Sequence, residues 1–181
     1  MWLFLSPPFG CDSMDTLFGK FSKKTKKEPE VPEENGNKVD ITFIGSTCIG
    51  AKSSFIWRFL EGEAFGSNYQ PPHLTFKKTV ISKGREVELT LWDTAGQEKF
   101  LSLLPMYLRR ATGVVLGYDI TNRGSFEYVK YFYDVCKRNC PNAVLMLIGN
   151  KVDLEEGRQV LRMEGEDLAR ELNIPLFFES K

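Results

Sequence analysis

The sequence predicts an α/β fold: a mostly parallel sheet of six strands with helices on both faces. Three observations lead there. Beyond Val39, strand-like apolar runs alternate with segments of helical pattern, the order expected when helices cover a parallel sheet. The runs over 113–120 and 143–149 are apolar almost throughout, as in parallel strands buried on both faces. Only 74–92 reads as two strands joined by a short turn, Lys83-Gly84-Arg85, which gives one antiparallel pair.

Residues 1–38 are expected to be a flexible charged tail. Lys23-Lys24-Thr25-Lys26-Lys27 is followed by Glu28, Glu30, Glu33 and Glu34 with Pro29 and Pro32 between them, and such a segment has nothing with which to build a core. Leu17, Phe18 and Phe21 beside the lysines would suit an anionic membrane surface; a solvated linker is the reading that composition favours. The domain proper is then 39–181. Within it, 39–44 reads as a strand, 53–61 as a helix, 74–92 as the hairpin, 101–109 as a helical stretch and 113–120 as a buried strand. A helix over 125–137, a strand over 143–149, a helix over 164–172 and a last strand over 176–178 complete the order. There is no internal repeat.

A chain of 181 residues, 42% of them hydrophobic, can bury one sizeable core. Lys plus Arg and Asp plus Glu both total 24, so no global field draws the chain to nucleic acid, and no nucleic-acid partner is expected. The four cysteines, Cys11, Cys48, Cys136 and Cys140, form no paired framework, and only His73 is present to help them ligate zinc. That usage suits a reducing, cytoplasmic setting. No run reaches the roughly 18–20 apolar residues of a membrane-spanning helix. Met1-Trp2-Leu3-Phe4-Leu5 breaks at Ser6-Pro7-Pro8, too soon for a secretory signal.

The chemistry is carried by three segments, each following a strand. After 39–44 comes Gly45-Ser46-Thr47-Cys48-Ile49-Gly50-Ala51-Lys52-Ser53-Ser54, a glycine-bearing turn with Lys-Ser opening a helix. That arrangement turns backbone amides and a helix N-terminus toward a polyphosphate. The usual phosphate loop has glycine directly before the lysine; here Ala51 intervenes. Lys52 would still neutralise β- and γ-phosphates, and the Ser53 hydroxyl is a hard oxygen suited to Mg²⁺.

The second segment, Trp92-Asp93-Thr94-Ala95-Gly96-Gln97-Glu98, ends an alternating run, so Asp93 would emerge where it can support Mg²⁺ through a water. The Gly96 amide would donate to a γ-phosphate oxygen, and Gln97 would orient the attacking water. The third is Asn150-Lys151-Val152-Asp153. Its Asp153 carboxylate would accept from the ring N–H and exocyclic amine of guanine, a donor pair that adenine does not offer in that arrangement, and a buried carboxylate penalises the wrong base. Lys151 would lie along the base, and Asn150 would tie neighbouring loops together.

In these motifs the chain resembles a Ras-superfamily small GTPase, closest to the Rab branch. Leu103-Leu104-Pro105-Met106-Tyr107-Leu108-Arg109-Arg110-Ala111 and Tyr118-Asp119-Ile120-Thr121-Asn122 extend the likeness, which covers about 39–181. The resemblance implies a P-loop GTPase fold and a switch that binds GDP and GTP with Mg²⁺ and hydrolyses GTP slowly. It further implies an exchange factor, an activating protein, effectors, and peripheral association with vesicle membranes. Glu179-Ser180-Lys181 resembles a shortened form of the loop that backs the guanine, which adds Ser180 and Lys181 to the nucleotide contacts.

Three departures set this chain apart. Ala51 interrupts the phosphate loop. In the first switch, Tyr69-Gln70-Pro71-Pro72 puts Pro72 where the family has a metal-binding threonine, and proline offers neither hydroxyl nor N–H. Thr75 would substitute only through a shift in register. The sequence stops at Lys181, before the family's final helix and lipidated cysteine, so that helix is expected to be absent from this chain. The alternative reading is therefore a pseudo-GTPase that holds nucleotide and recruits partners with little or no hydrolysis.

Overall fold

The computed structural model describes residues 38–45, 75–94 and 102–180, together with Ser53, Phe55, Ile56, Phe59 and Leu60. The tail over 1–37, most of the phosphate loop, the first-switch segment with Pro72, and the Gly96-Gln97 segment lie outside the described residues.

Six strands form one sheet in the order β2-β3-β1-β4-β5-β6. They are β1 (Lys38–Ile44), β2 (Thr75–Ser82), β3 (Arg85–Asp93), β4 (Gly113–Asp119), β5 (Val144–Asn150) and β6 (Leu176–Ser180). All neighbouring pairs are parallel except β2 with β3. That hairpin closes through Lys83 and Gly84, both at positive φ (51° and 74°), the two-residue turn whose twist matches the flanking strands. The doubly wound architecture is the one that the alternating runs predict.

β4 and β5 are buried at every position, which explains their continuous apolar sequence. On one face Val114, Leu116, Leu145 and Leu147 pack beneath helices α1 (Leu104–Leu108), α2 (Arg123–Asn139) and α3 (Arg162–Glu171), which contribute Leu108, Val129, Phe132 and Leu168. On the other, Ile41, Phe43, Leu89, Leu91 and Val115 meet Ile56 from the helical residues after β1. Each fully buried aliphatic side chain of this kind is worth about 1.5–3 kcal/mol.

Local chemistry moves several element ends from their expected positions. α2 starts two residues before Ser125 because the Asn122 side chain accepts from Ser125 N at 3.1 Å and so caps the first turn. Lys137 and Arg138 lie in its last turn, where positive charge suits the helix dipole. α3 starts at Arg162 rather than Glu164 because the Glu164 carboxylate reaches back to Leu161 N at 2.9 Å. A 3₁₀ helix over Val152–Gly157 was not anticipated; its residues show no apolar periodicity.

One site segment needs correction. Glu179 and Ser180 are strand residues rather than part of a loop, because the parallel ladder with β5 continues through Gly149↔Glu179 to Asn150↔Ser180. Cys136 and Cys140 are buried free thiols one helical turn apart at the end of α2. No helix among the described residues is long and apolar enough to cross a membrane.

Candidate functional site

Strand order alone indicates where a ligand would bind. β1 has β3 on one side and β4 on the other, so the connections leaving β1 and β4 diverge and open a crevice at the strands' C-terminal ends. The described candidate residues gather along that edge. Gly45 follows the last residue of β1 and is buried. Asp93 ends β3, and the ladder sets it beside Phe43 of β1.

Ser53, on the helical residues beyond β1, donates from Oγ to Asp93 Oδ2. The sequence separates these two groups by 40 positions, and the fold brings them into contact. Asp93 is 7% exposed, so its carboxylate is held rather than free to wander. Thr94 stitches the exit of β3 to β1, its hydroxyl donating to Phe43 O at 2.5 Å. Thr75, the other candidate hydroxyl, opens β2 opposite Trp92.

The other end of the edge is built from β4, β5 and β6. Asp119, Asn150 and Ser180 end these strands and are aligned by direct pairing, Asp119↔Asn150 and Asn150↔Ser180. Asn150 is buried, and its carbonyl accepts from Ile120 N at 3.1 Å, tying the β5 exit to the β4 exit. Lys151 turns the chain sharply with φ 68°, a left-handed conformation that a residue with a Cβ adopts at a cost. Its Nζ lies 2.6 Å from Asp119 Oδ2.

Asp153 sits in the first turn of the 3₁₀ helix and is exposed. The sequence argument for base selection needs a carboxylate that is covered when the base is bound. The buried acid here is Asp119, so any penalty for a mismatched base at Asp153 comes from burial beneath the base itself. Ser46, Thr47, Cys48, Ile49, Gly50, Ala51, Lys52, Ser54, Gly96, Gln97 and Lys181 lie outside the described residues.

A family model described as the Ras family matches residues 40–181. The chain belongs to the Ras family. It is accordingly a small GTPase of the GTP-binding switch type.

Asp119 was missed as a site residue by sequence reasoning, although its segment was noticed for its likeness. Burial pushes its carboxyl up, yet hydrogen bonds from Lys151 and Thr121 prevail and hold it below the ordinary aspartate range. Thr121 contributes two of them, from N at 2.8 Å and from Oγ1 at 2.7 Å. A signal was available: an acid ending the otherwise apolar strand of a parallel pair has to be partnered where it emerges.

Proposed function

We propose that this chain is a Rab-like molecular switch that binds GDP and GTP with Mg²⁺, hydrolyses GTP slowly, and serves vesicle traffic. The observation that carries the nucleotide part is the convergence of Ser53 with Asp93 at one end of the strand edge and of Asn150 and Lys151 with Asp119 at the other. The likeness of 103–111 and 118–122 to the Rab branch supports the traffic role, along with an exchange factor, an activating protein and effectors as partners.

The donor set fits Mg²⁺. A serine hydroxyl and a carboxylate are hard oxygen ligands, and Mg²⁺ in nucleotide sites keeps several waters and takes few protein ligands beside the phosphates. Ser53 and Asp93 would hold it, and its charge would offset that of the phosphates. Lys52 would add a second cation to the phosphate end. Gly96 would donate its amide to the γ-phosphate, and Gln97 would orient the water that attacks phosphorus as the bond to the GDP oxygen breaks. At the base end Asp153 would accept from guanine, with Lys151 along the ring.

Calorimetry with GDP, GTP and ATP, with and without Mg²⁺, tests the reading. Guanine nucleotides should bind at least a hundredfold more tightly than ATP, the discrimination that unpaired polar groups can impose. Equal affinity for ATP would refute it.

A second reading, a partner-recruiting pseudo-GTPase, is favoured by Pro72 and Ala51. A proline at that switch position supplies no hydroxyl for the metal and no amide for the γ-phosphate. Single-turnover hydrolysis separates the two. Phosphate release that disappears in Gln97→Leu supports the enzyme; tight GTP binding without release supports the recruiting module.

A further inference from the structure

The segment following the 3₁₀ helix holds the base end of the site together from behind. Arg158 is central to it. Its Nε donates to both carboxylate oxygens of Glu155, at 2.8 and 2.9 Å. Nη1 donates to Val160 O at 2.9 Å and to Glu179 Oε1 at 2.7 Å, and Nη2 reaches Glu179 Oε2 at 3.2 Å. All three guanidinium nitrogens are engaged, two of them in a fork on the Glu179 carboxylate.

The bridged positions flank the candidate base contacts. Glu155 stands two residues after Asp153, just past a kink at Leu154 (φ −95°, ψ 44°) that divides the 3₁₀ segment, and Glu179 stands one residue before Ser180. The β4 exit joins through the backbone, since Ile120 O accepts from Gln159 N at 2.8 Å and from Val160 N at 3.0 Å. The β4 exit and the end of β6 are thus fastened to residues 158–160, which follow the 3₁₀ segment in the same connection.

The Arg158–Glu179 pair is withdrawn from water, with side chains 11% and 8% exposed, whereas the Glu155 side chain is 66% exposed. Coulomb attraction is screened least at the buried pair, so that pair sets the geometry and Glu155 trims it.

We infer that Arg158 is a positioning residue for base selection, clamping the turn at Glu155 that follows Asp153 across the Leu154 kink against the β6 end that carries Ser180. The inference rests on the nucleotide reading above. Arg158 does not touch the base. Asp153 is exposed and has no hydrogen-bond or ion-pair partner among the described residues, so its placement depends on the helix that bears it. A lysine at 158 would keep the charge and lose the planar fork.

The test compares dissociation constants for GDP and inosine diphosphate, which lacks only the exocyclic amine, and for ADP, in the full chain and in Arg158→Lys, Arg158→Met and Glu179→Gln. In the wild type GDP should be preferred over the inosine nucleotide. Arg158→Met should shrink that preference about tenfold, the scale of one charge-assisted hydrogen bond, and Arg158→Lys should restore part of it. Glu179→Gln keeps the shape and removes the charge, and it gives the answer should Arg158→Met not fold. An equal loss for both nucleotides at an unchanged ratio would assign the pair to stability alone and overturn the clamp. A wild type that binds GDP no better than ADP would refute the nucleotide reading and the clamp with it. A selective wild type beside equally selective variants would overturn the clamp only.

Discussion

Lys151 and Asp119 form an ion pair of 2.6 Å across the ends of β5 and β4, and the lysine makes it from a left-handed backbone conformation. Asp119 also accepts twice from Thr121, so one carboxylate fixes both the β4 exit and the lysine expected to line the base. Asp119→Asn keeps the shape and removes the charge. It should destabilise the fold by about 1–3 kcal/mol, less than for a wholly buried pair because the Lys151 side chain is 32% exposed. Urea unfolding checks the stability. GDP affinity should fall in the same variant, because the ammonium is no longer held in place.

The same pair sets an acid dependence. The folded-state pKa of Asp119 is depressed, so its contribution is fully present above the unfolded value of about 3.9 and is lost as pH falls through the lower folded value. The stability gap between the wild type and Asp119→Asn should therefore be constant from neutral pH down to about pH 5 and narrow below about pH 4. Unfolding midpoints at a series of pH values would show this, and a gap that widens in acid would contradict the assignment.

How far the sequence revealed these features depended on the range of the forces involved. Strands and helices were legible because the burial of β4 and β5 on both faces leaves an unbroken apolar run, and because the Lys83-Gly84 turn closes its hairpin locally. Helix ends were less legible, since Asn122 and Glu164 act through single hydrogen bonds that no periodicity records. Asp93 and Asn150 were legible as strand ends, because strand ends are local events. The Asp119–Lys151 and Arg158–Glu179 pairs were not, since each joins positions brought together only by the β4-β5-β6 ladder. The exposure of Asp153 was not legible for a related reason: a motif gives the order of residues but not what covers them.

Ser53 and Asp93 bear on metal dependence. With Ser53 bonded to Asp93, Ser53→Ala removes one proposed Mg²⁺ ligand and leaves the carboxylate without that donor. Chelating Mg²⁺ from the wild type should speed GDP release by about tenfold or more, as expected when a cation that would offset the phosphate charge is withdrawn. In Ser53→Ala release should already be fast, and chelation should add little. Fluorescent GDP release with and without chelator measures both, and a full chelation effect in the variant would remove Ser53 from the metal site.

Tyr118 offers a test of packing behind the site. Its side chain is fully buried, and its hydroxyl has no hydrogen-bond partner among the described residues. Burial, reinforced by the nearby Glu179, drives its pKa upward, so it stays neutral at any pH the protein would meet. Two glycines make room for that ring. A Cβ at Gly165 would lie 2.5 Å from the hydroxyl and 2.6 Å from Phe177 Cζ, and one at Gly149 would lie 2.7 Å from the same hydroxyl. Alanine in a helix is normally worth about 0.5–1 kcal/mol over glycine, yet overpacking costs about 1–3 kcal/mol, so Gly165→Ala should destabilise α3 on balance. Tyr118→Phe should be neutral or mildly stabilising, since it removes an unsatisfied buried hydroxyl at little loss of packing. In the double variant the alanine still meets Phe177 but no longer the hydroxyl, so Gly165→Ala should cost less there than in the wild type. A double-mutant cycle by thermal unfolding reads that coupling, and strict additivity would show that the ring tip and the helix do not press on each other.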